Sequence, residues 1–211
     1  MIVIILIAVL IFFLLNWFTT KKNVVEYYVI HLKEETSRFE NIKQMEKILG
    51  KKITIFDAHG PCDIPGPASR GHCGAYKSHK GVLELVHAKK SSKYSVVFED
   101  DFIVTPELHD QVNNIINAIE DFDIVILGNF EANHGQHVRD NIYRLDPGRL
   151  CTGTHAYLVN NENVPNITER LKYKTNFDLE LPNIIHEHNL NGFVIWPRIA
   201  FHNHSFQSAT S

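Results

Sequence analysis

Two short segments that are almost wholly apolar constrain the fold of this chain more than any other feature. One runs from Tyr94 to Phe98 and the other from Asp123 to Leu127, and both are too short to be buried helices. Uninterrupted apolar strands of this length are typical of the interior of a parallel sheet, where both faces of each strand are covered. The two segments therefore predict a buried central sheet.

Other strand-like segments alternate with segments of helical periodicity. The further predicted strands are Val24 to Leu32, Lys52 to Phe56 and Gly192 to Trp196. The predicted helices are Ser37 to Leu49, with Ser37 and Glu40 as a capping box, Gly74 to Ala88, Leu108 to Ile119 and Leu181 to His188. This alternation predicts one α/β domain over residues 24–211, with a mainly parallel central sheet and flanking helices. In such sheets ligands bind beyond the carboxyl ends of the strands.

The first 20 residues differ in composition from the rest of the chain. Ile2 to Phe18 is apolar except for Asn16, and as a helix it would cover roughly 25 Å, near the lower limit for crossing a bilayer. No basic residue precedes this run and no small-residue cleavage site follows it, which argues against a cleaved signal peptide. Residues 1–20 therefore predict an N-terminal transmembrane helix and a single-pass membrane protein. The two lysines after the run favour a cytosolic domain, whereas glycosylation sequons at Asn166 and Asn203 favour the lumen, so the side of the membrane stays open.

Charge and cysteine content narrow the class of partner and of site. The net charge is −3 and no basic block is present, so the sequence does not predict a nucleic-acid partner. Cys62, Cys73 and Cys151 have neither zinc-ligand nor redox spacing and allow at most one disulfide. The thirteen histidines are compatible with metal binding or proton transfer, but their number alone indicates neither.

Three adjacent carboxylates, Glu99, Asp100 and Asp101, follow the first apolar strand. Carboxylates this close repel one another unless a cation or hydrogen bonds compensate for their charge. Their oxygen atoms suit Mg²⁺ or Mn²⁺, and such an ion can bridge the two phosphates of a nucleotide-sugar. On these residues alone a solvated acidic turn is the favoured interpretation, and a divalent metal site is the alternative that the neighbouring motifs have to support.

Six short motifs lie along the chain. Near its start, Tyr28-Val29-Ile30-His31-Leu32 is followed by Ser37 and Arg38. The other five motifs are Gly71 to His79, Val96 to Asp101, Gly153 to Leu158, Phe177 to Pro182 and Phe206 to Thr210. In their residues and order the six resemble glycosyltransferase family 25, which includes bacterial lipooligosaccharide galactosyltransferases and collagen hydroxylysine galactosyltransferases.

The chain departs from the family pattern at three positions. His31 stands where the family usually has asparagine, Ala75 where it has cysteine, and Ala209 where it has aspartate. These departures leave open an inactive relative that only binds carbohydrate. A Mg²⁺-dependent phosphoryl-transfer enzyme is the other alternative, since it also places aspartates at a strand end, but no phosphorylation loop is evident.

The resemblance implies a GT-A type, Rossmann-like domain that binds a nucleotide-sugar. It implies transfer of a sugar, with galactose or glucose expected, from a UDP-sugar to a hydroxyl group of a glycan or protein acceptor. It also implies Mn²⁺ or Mg²⁺ as cofactor and inversion at the transferred carbon.

The resemblance also assigns roles to the acidic run and to the C-terminal histidines. Asp101 is the expected chief metal ligand, while Glu99 contacts the metal, the ribose or a bridging water. Asp100 is an alternative for the role of either residue. A histidine near the C-terminus commonly completes the metal site, and His202 and His204 are the two candidates.

Asp178 is the candidate general base that takes the proton of the acceptor hydroxyl. Its alternative role is to cap the helix predicted from Leu181, and Glu180 is the fallback base. The predicted donor-binding residues besides Glu99 and Asp100 are His31, Arg38, Ser78, His79, Gly153 and Thr154. Among these, Arg38 is expected to pair with the diphosphate, with an exposed helical arginine as the alternative. Gly153 is expected to form a tight turn close to the donor or acceptor.

Overall fold

The computed structural model describes residues 24–62, 69–119, 121–130, 134–145 and 152–206. The strands in these residues are β1 (Val25–His31), β2 (Ile53–Asp57), β3 (Tyr94–Glu99), β4 (Phe102–Val104), β5 (Ile124–Gly128), β6 (His134–Arg139), β7 (Ile142–Leu145), β8 (Ala156–Asn160), β9 (Gly192–Ile195) and β10 (Ala200–His202). The helices are α1 (Thr36–Leu49), α2 (Arg70–Lys89), α3 (Leu108–Ala118), α4 (Val164–Thr168) and α5 (Phe177–Glu187). Each strand and helix predicted between residues 24 and 211 is present, with its ends shifted by up to four residues.

Eight of these strands form the central sheet, in the order β2-β1-β3-β8-β5-β9-β7-β6. β1 is parallel to β2 and β3, and β5 is parallel to β9, but the other neighbours are antiparallel. The prediction of a mainly parallel sheet is therefore wrong, because the sheet is mixed. The main cause is β8, whose five residues are all buried and carry the same apolar pattern whichever way the strand runs.

The direction of β8 determines which residues lie beside the carboxyl ends of β3 and β5. Ala156, its first residue, pairs with Phe98 near the end of β3 and with Gly128 at the end of β5. The segment that enters β8 therefore lies at the same edge as the acidic run that leaves β3.

Helices cover both faces of the sheet. Successive residues of a strand point to opposite faces, and Tyr27 and Tyr28 accordingly belong to two different apolar clusters. α1 and α3 contribute residues such as Ile42 and Val112 to one cluster. α2, α4 and α5 contribute to the other, for example through Leu83. The core is thus two apolar layers separated by the sheet.

A separate two-stranded sheet pairs β4 with β10 in antiparallel fashion. In this pairing His202 lies opposite Phe102, and the N–H of Asn203 donates a 2.6 Å hydrogen bond to the carbonyl oxygen of Asp101. The small sheet therefore holds the C-terminal histidine region beside the acidic run.

Three helix starts differ from the prediction, and α2 begins at Arg70, four residues before the predicted Gly74. α1 has Glu35 at its N-cap, so Ser37 lies inside the helix and does not cap it. α5 begins four residues before the predicted Leu181 and has Asn176 at its N-cap. Asp178 therefore lies in the first turn of α5 rather than at the cap, a position where the helix dipole favours a carboxylate.

The predicted transmembrane helix needs correction. Residues 1–20 lie outside the described residues, and no helix in the part of the chain that the structure describes is long and apolar enough to cross a bilayer. The 20-residue α2, for example, carries Lys77, Lys80 and Glu84 along its length. The membrane-spanning helix and the single-pass localisation are therefore not retained.

Candidate active site

Both carboxylate oxygens of Asp100 bind neighbouring protein groups. Oδ2 lies 2.8 Å from His31 Nδ1, and Oδ1 accepts a 2.5 Å hydrogen bond from Arg38 Nη1. Asn41 Nδ2 donates to the backbone carbonyl oxygens of Asp100 and Phe102. Asp100 therefore anchors the acidic run to the end of β1 and to α1. Both of its carboxylate oxygens are bound by protein groups, although the sequence led us to expect that they contact the donor.

Arg38 lies buried between two aspartates. Besides its bond to Asp100, Nη1 lies 3.3 Å from Asp101 Oδ2, and the guanidinium lies 5.7 Å from the ring centroid of Phe206. Burial lowers the pKa of Arg38, but the hydrogen bond and charge of Asp100 outweigh it, so the pKa is raised overall. The guanidinium that was expected to meet a diphosphate already neutralises carboxylates of the acidic run.

Asp101 and His202 form a buried pair with an unsatisfied oxygen. Asp101 Oδ2 lies 3.2 Å from His202 Nε2, whereas Oδ1 is buried without a hydrogen-bond partner in the described part of the chain. Burial raises the pKa of Asp101 to about 7, and repulsion from Glu99 adds to the rise while Arg38 opposes it. A buried polar atom without a partner is costly, and a bound cation would remove that cost. His204 is exposed, and its ring centroid lies 4.9 Å from that of His202.

Glu99, the last residue of β3, is held by a histidine from α2. His79 Nε2 lies 3.1 Å from Glu99 Oε1, and His79 Nδ1 lies 3.1 Å from the hydroxyl of Tyr157. The imidazole also stacks on Phe177, with centroids 4.3 Å apart. Burial raises the pKa of Glu99, but the hydrogen bond and charge of His79 outweigh it, so the pKa is lowered overall. Glu99 is therefore an oriented, ionised carboxylate.

Asp178 faces the turn that enters β8. Its Oδ2 accepts a 2.9 Å hydrogen bond from the N–H of Gly153, and its Oδ1 makes no hydrogen bond within the described residues. Gly153 has a φ of 72°, as the predicted tight turn requires, and Thr154 beside it is buried. One oxygen of Asp178 thus fixes the side chain, which leaves the other for a ligand.

Two other predicted residues bind the protein's own backbone. Glu180, the fallback base, is buried and accepts hydrogen bonds from the N–H groups of Lys172 and Lys174. The hydroxyl of Ser78 donates to the carbonyl oxygen of Gly74 and accepts from the N–H of His59. Glu180 therefore shapes the loop before α5, whereas Ser78 fixes the loop after β2.

A cavity of about 370 Å³ brings most of these side chains together. Its walls are formed by Arg38, His72, Ala75, His79, Glu99, Asp101, Phe130, Thr152, Gly153, Thr154, Asn176, Phe177, Asp178 and His202. Three carboxylates and one guanidinium are among these groups, so the cavity carries an excess of negative charge.

A smaller cavity of about 90 Å³ adjoins the first, and Arg38, Ala75, His79 and Glu99 line both. Its other walls come mainly from the end of β1, the loop after β2 and the start of α2. A disulfide between Cys62 and Cys73 ties that loop to the first turn of α2. Pro61, the residue before Cys62, lines the smaller cavity. The third cysteine, Cys151, is outside the described residues.

The donor atoms of the site fit a divalent cation that a ligand helps to hold. Within the described ranges, no group of three or more His, Cys, Asp or Glu side chains is placed to hold a metal by itself. Asp101, with its unpartnered Oδ1, and the adjacent His202 offer two ligands. Mg²⁺ in phosphate-binding sites is usually held by one or two protein carboxylates, with phosphate oxygens and water completing its shell. Asp101 and His202 match such an incomplete set.

Three residues that shape the site were not predicted from the sequence, namely Asn41, Tyr157 and Phe130. Asn41 lies three residues after Arg38 on α1, so helical spacing alone places both side chains on one face. Tyr157 belongs to a motif noted above, but its partner His79 is 78 residues away. Phe130 has no sequence signal beyond its position just after β5.

No protein-family model matches this sequence, and no curated protein is significantly similar to it. Among solved structures, the chain is similar to a glycosyltransferase involved in the glycosylation of the major capsid of PBCV-1. The TM-score is 0.54 at 12% identity, over 88% of this chain and 95% of that one. Similarity to A197 from STIV has a TM-score of 0.47 at 12% identity, over 88% of this chain and 86% of that one. For apo GlyE of Streptococcus pneumoniae TIGR4 the TM-score is 0.43 at 12% identity, over 80% of this chain and 45% of that one.

The likeness to the capsid glycosyltransferase concerns the fold. This chain has a mixed α/β fold of the glycosyltransferase kind. The predicted glycosyltransferase fold is therefore confirmed at that level, whereas membership of family 25 is not shown by any of these similarities.

Proposed function

We propose that this protein is a glycosyltransferase that transfers a sugar from a nucleotide-sugar to an acceptor hydroxyl with the aid of a divalent cation. The observation that carries the proposal is Asp101, which lines a cavity of about 370 Å³ together with Asp178 and whose buried Oδ1 has no hydrogen-bond partner among the described residues. The motif resemblance adds a UDP-sugar, with galactose or glucose as the sugar, Mn²⁺ or Mg²⁺ as the cation, and a glycan or protein as the acceptor.

The charge of the cavity supports a cation. A nucleoside diphosphate is itself negative, and it would enter a cavity lined by Glu99, Asp101 and Asp178. Arg38 offsets little of this repulsion, because its guanidinium is already bound to Asp100 and lies close to Asp101. A divalent ion held by Asp101 and His202 would neutralise the diphosphate charge as the nucleotide departs. Glu99, fixed by His79, is then placed to contact the ribose or a water in the shell of the ion.

The position of Asp178 supports its role as the base. Inverting transfer needs a carboxylate that takes the proton of the attacking hydroxyl on the side of the sugar opposite the leaving group. Asp178, on α5, lines the same cavity as Glu99 and Asp101, with one oxygen fixed by the N–H of Gly153. The hydroxyl would donate to Oδ1, which is not hydrogen-bonded within the described residues.

The smaller cavity supports a place for the nucleoside. Ile30, Leu32 and Pro61 give it apolar walls, and it shares Glu99 with the wall of the larger cavity. Ligand pockets commonly combine apolar walls with a few polar groups in this way. The base would enter between the end of β1 and the loop that the disulfide fixes.

A donor screen tests the proposal directly. Full-length protein is heated with Mn²⁺ and a panel of nucleotide-sugars, and UDP binding is then measured by calorimetry with Mn²⁺ and with chelator. We expect stabilisation by one UDP-sugar, UDP binding only with the cation, and slow hydrolysis of that UDP-sugar. Binding that survives chelation, or no binding of any nucleotide-sugar, would rule the proposal out. Cation-dependent binding without hydrolysis or transfer would indicate the inactive, carbohydrate-binding relative instead.

A further inference from the structure

Phe130 is an exposed aromatic side chain on the wall of the larger cavity. It is 45% exposed, although phenylalanine is usually buried in a folded protein. Its backbone is bonded, because its N–H donates a 2.9 Å hydrogen bond to the carbonyl oxygen of Thr152. The preceding carbonyl, that of Asn129, accepts a 2.6 Å hydrogen bond from Arg198 Nη1. The ring is therefore presented to the cavity by an anchored backbone.

The ring of Phe130 packs against three histidines, two of which are the candidate metal ligands His202 and His204. Its centroid lies 5.0 Å from that of His202 and 5.4 Å from that of His155, with interplanar angles of 60° and 53°. The ring of His204 lies 6.4 Å away. Such tilted contacts orient the ring without covering it by a parallel stack. Within the described residues a face of Phe130 is thus left for a ligand.

Gly153 connects Phe130 with the candidate base. A Cβ built on Gly153 would overlap Cδ2 of Phe130, so the ring lies directly against this glycine. The N–H of the same glycine is the group that fixes Asp178. Phe130 and the candidate base are therefore neighbours of the same glycine and line the same cavity.

We propose that the acceptor is a sugar and that its ring stacks on Phe130. This inference rests on the proposed function and selects a glycan over a protein acceptor. The face of an aromatic ring is electron-rich and attracts the polarised C–H groups that a pyranose presents on one flat side. A serine, threonine or hydroxylysine side chain is a narrow chain and presents no such flat surface to the ring.

The first test is saturation-transfer NMR on the full-length protein with UDP and Mg²⁺, because paramagnetic Mn²⁺ would broaden the proton signals of a bound probe. The probes are the methyl glycosides of galactose, glucose, N-acetylglucosamine and mannose, with a threonine-containing peptide for contrast. We expect at least one glycoside to show saturation of the C–H protons on one ring face, and the peptide to show none. The saturation should be lost in Phe130→Ala and kept in Phe130→Trp.

Phe201→Ala is the matched control, because Phe201 is 40% exposed but does not line the cavity. It should leave the saturation unchanged. In turnover assays with the responding glycoside, Phe130→Ala should raise the acceptor KM about tenfold. The acceptor KM should change by a larger factor than the donor KM, because Phe130 is next to the candidate metal ligand His202 only through a ring contact.

The outcomes separate this inference from the proposed function. Saturation that persists in Phe130→Ala, saturation of the peptide in place of the glycosides, or no saturation of any glycoside while UDP still binds would overturn the sugar platform alone. Failure of the wild-type protein to bind UDP with Mn²⁺ would overturn the proposed function and the platform together.

Discussion

His202 Nε2 lies 3.2 Å from Asp101 Oδ2, and this contact follows from backbone pairing between two strands that are far apart in sequence. In the small sheet His202 is opposite Phe102, the residue after Asp101. The hydrogen bond from the N–H of Asn203 to the carbonyl oxygen of Asp101 extends the pairing by one more residue. The pair is therefore held by the fold itself, independently of any ligand.

The Asp101–His202 pair predicts which substitutions remove cation-dependent binding. Asp101→Asn should weaken Mn²⁺-dependent UDP binding by at least about 100-fold, because it removes the only negatively charged ligand of the pair. His202→Ala should weaken it about 10- to 100-fold. The exposed His204 supplies the matched control, and His204→Ala should stay within about twofold of wild type. Calorimetric titration of UDP at fixed Mn²⁺ measures all three, and a large effect at His204 with none at His202 would reverse the assignment.

The raised pKa of Asp101 predicts that cation binding depends on pH. Burial raises this pKa from 3.8 to about 7, so without a cation the folded protein retains a proton between about pH 4 and 7 that the unfolded chain releases. Stability without cation therefore falls as the pH rises through this window. Cation binding needs the carboxylate, so Mn²⁺ affinity should rise with pH up to about 7 and then level off. Burial lowers the pKa of His202, which leaves Asp101 as the main source of the dependence.

The measurement is Mn²⁺ affinity at pH 6 and pH 8, which should differ by about tenfold in favour of pH 8. Asp101→Asn serves as the control, because its remaining weak binding should not depend on this ionisation. Equal affinity at both values in the wild-type protein would contradict the assignment of Asp101 as a ligand.

The sequence predicted the acidic run correctly as the end of a buried strand, because local apolar pattern decides where a buried strand ends. It did not separate the roles of the three carboxylates. That separation depends on partners distant in sequence, since Asp100 meets His31 across 69 residues and Arg38 across 62. No local pattern specifies such contacts.

The topology was less predictable than the strands. Burial on both faces removes the alternation that would distinguish an edge strand or reveal strand direction, and so β8 carried no sign that it runs antiparallel to β3 and β5. The choice between His202 and His204 likewise depended on where β10 ends. His202 is the last residue of that strand, whereas His204 lies in the turn beyond it.

Asp178 and Glu180 lie two residues apart, but the structure predicts opposite effects of their amide variants. Asp178→Asn keeps an oxygen for the N–H of Gly153 and removes the base, so UDP binding should be unchanged while kcat for transfer falls about 10²- to 10⁴-fold. Glu180→Gln cannot accept hydrogen bonds equally well from Lys172 and Lys174, so it should lower the free energy of unfolding by about 1 to 3 kcal/mol. Its kcat per folded molecule should remain close to wild type.

Denaturant unfolding and single-turnover transfer measured on the same samples separate these two effects. Comparable losses of UDP binding and of transfer in Asp178→Asn would show that Asp178 positions the donor and is not the base.

Gly153 and Gly50 both have a positive φ, but only Gly153 lies against another side chain. At Gly50, φ is 62° and nothing lies within 4 Å of an added Cβ, so Gly50→Ala should cost only the backbone strain of about 1 to 2 kcal/mol. At Gly153, φ is 72° and an added Cβ overlaps Phe130, which should cost about 1 to 3 kcal/mol more. Gly153→Ala should also displace Phe130 or the N–H that fixes Asp178. The transfer rate should therefore fall by a larger factor than the fraction of folded protein. Gly50→Ala should transfer normally once corrected for folded fraction. Urea unfolding with parallel assays of transfer and UDP binding checks this, and equal transfer rates in the two variants would mean that the turn at Gly153 does not position the base.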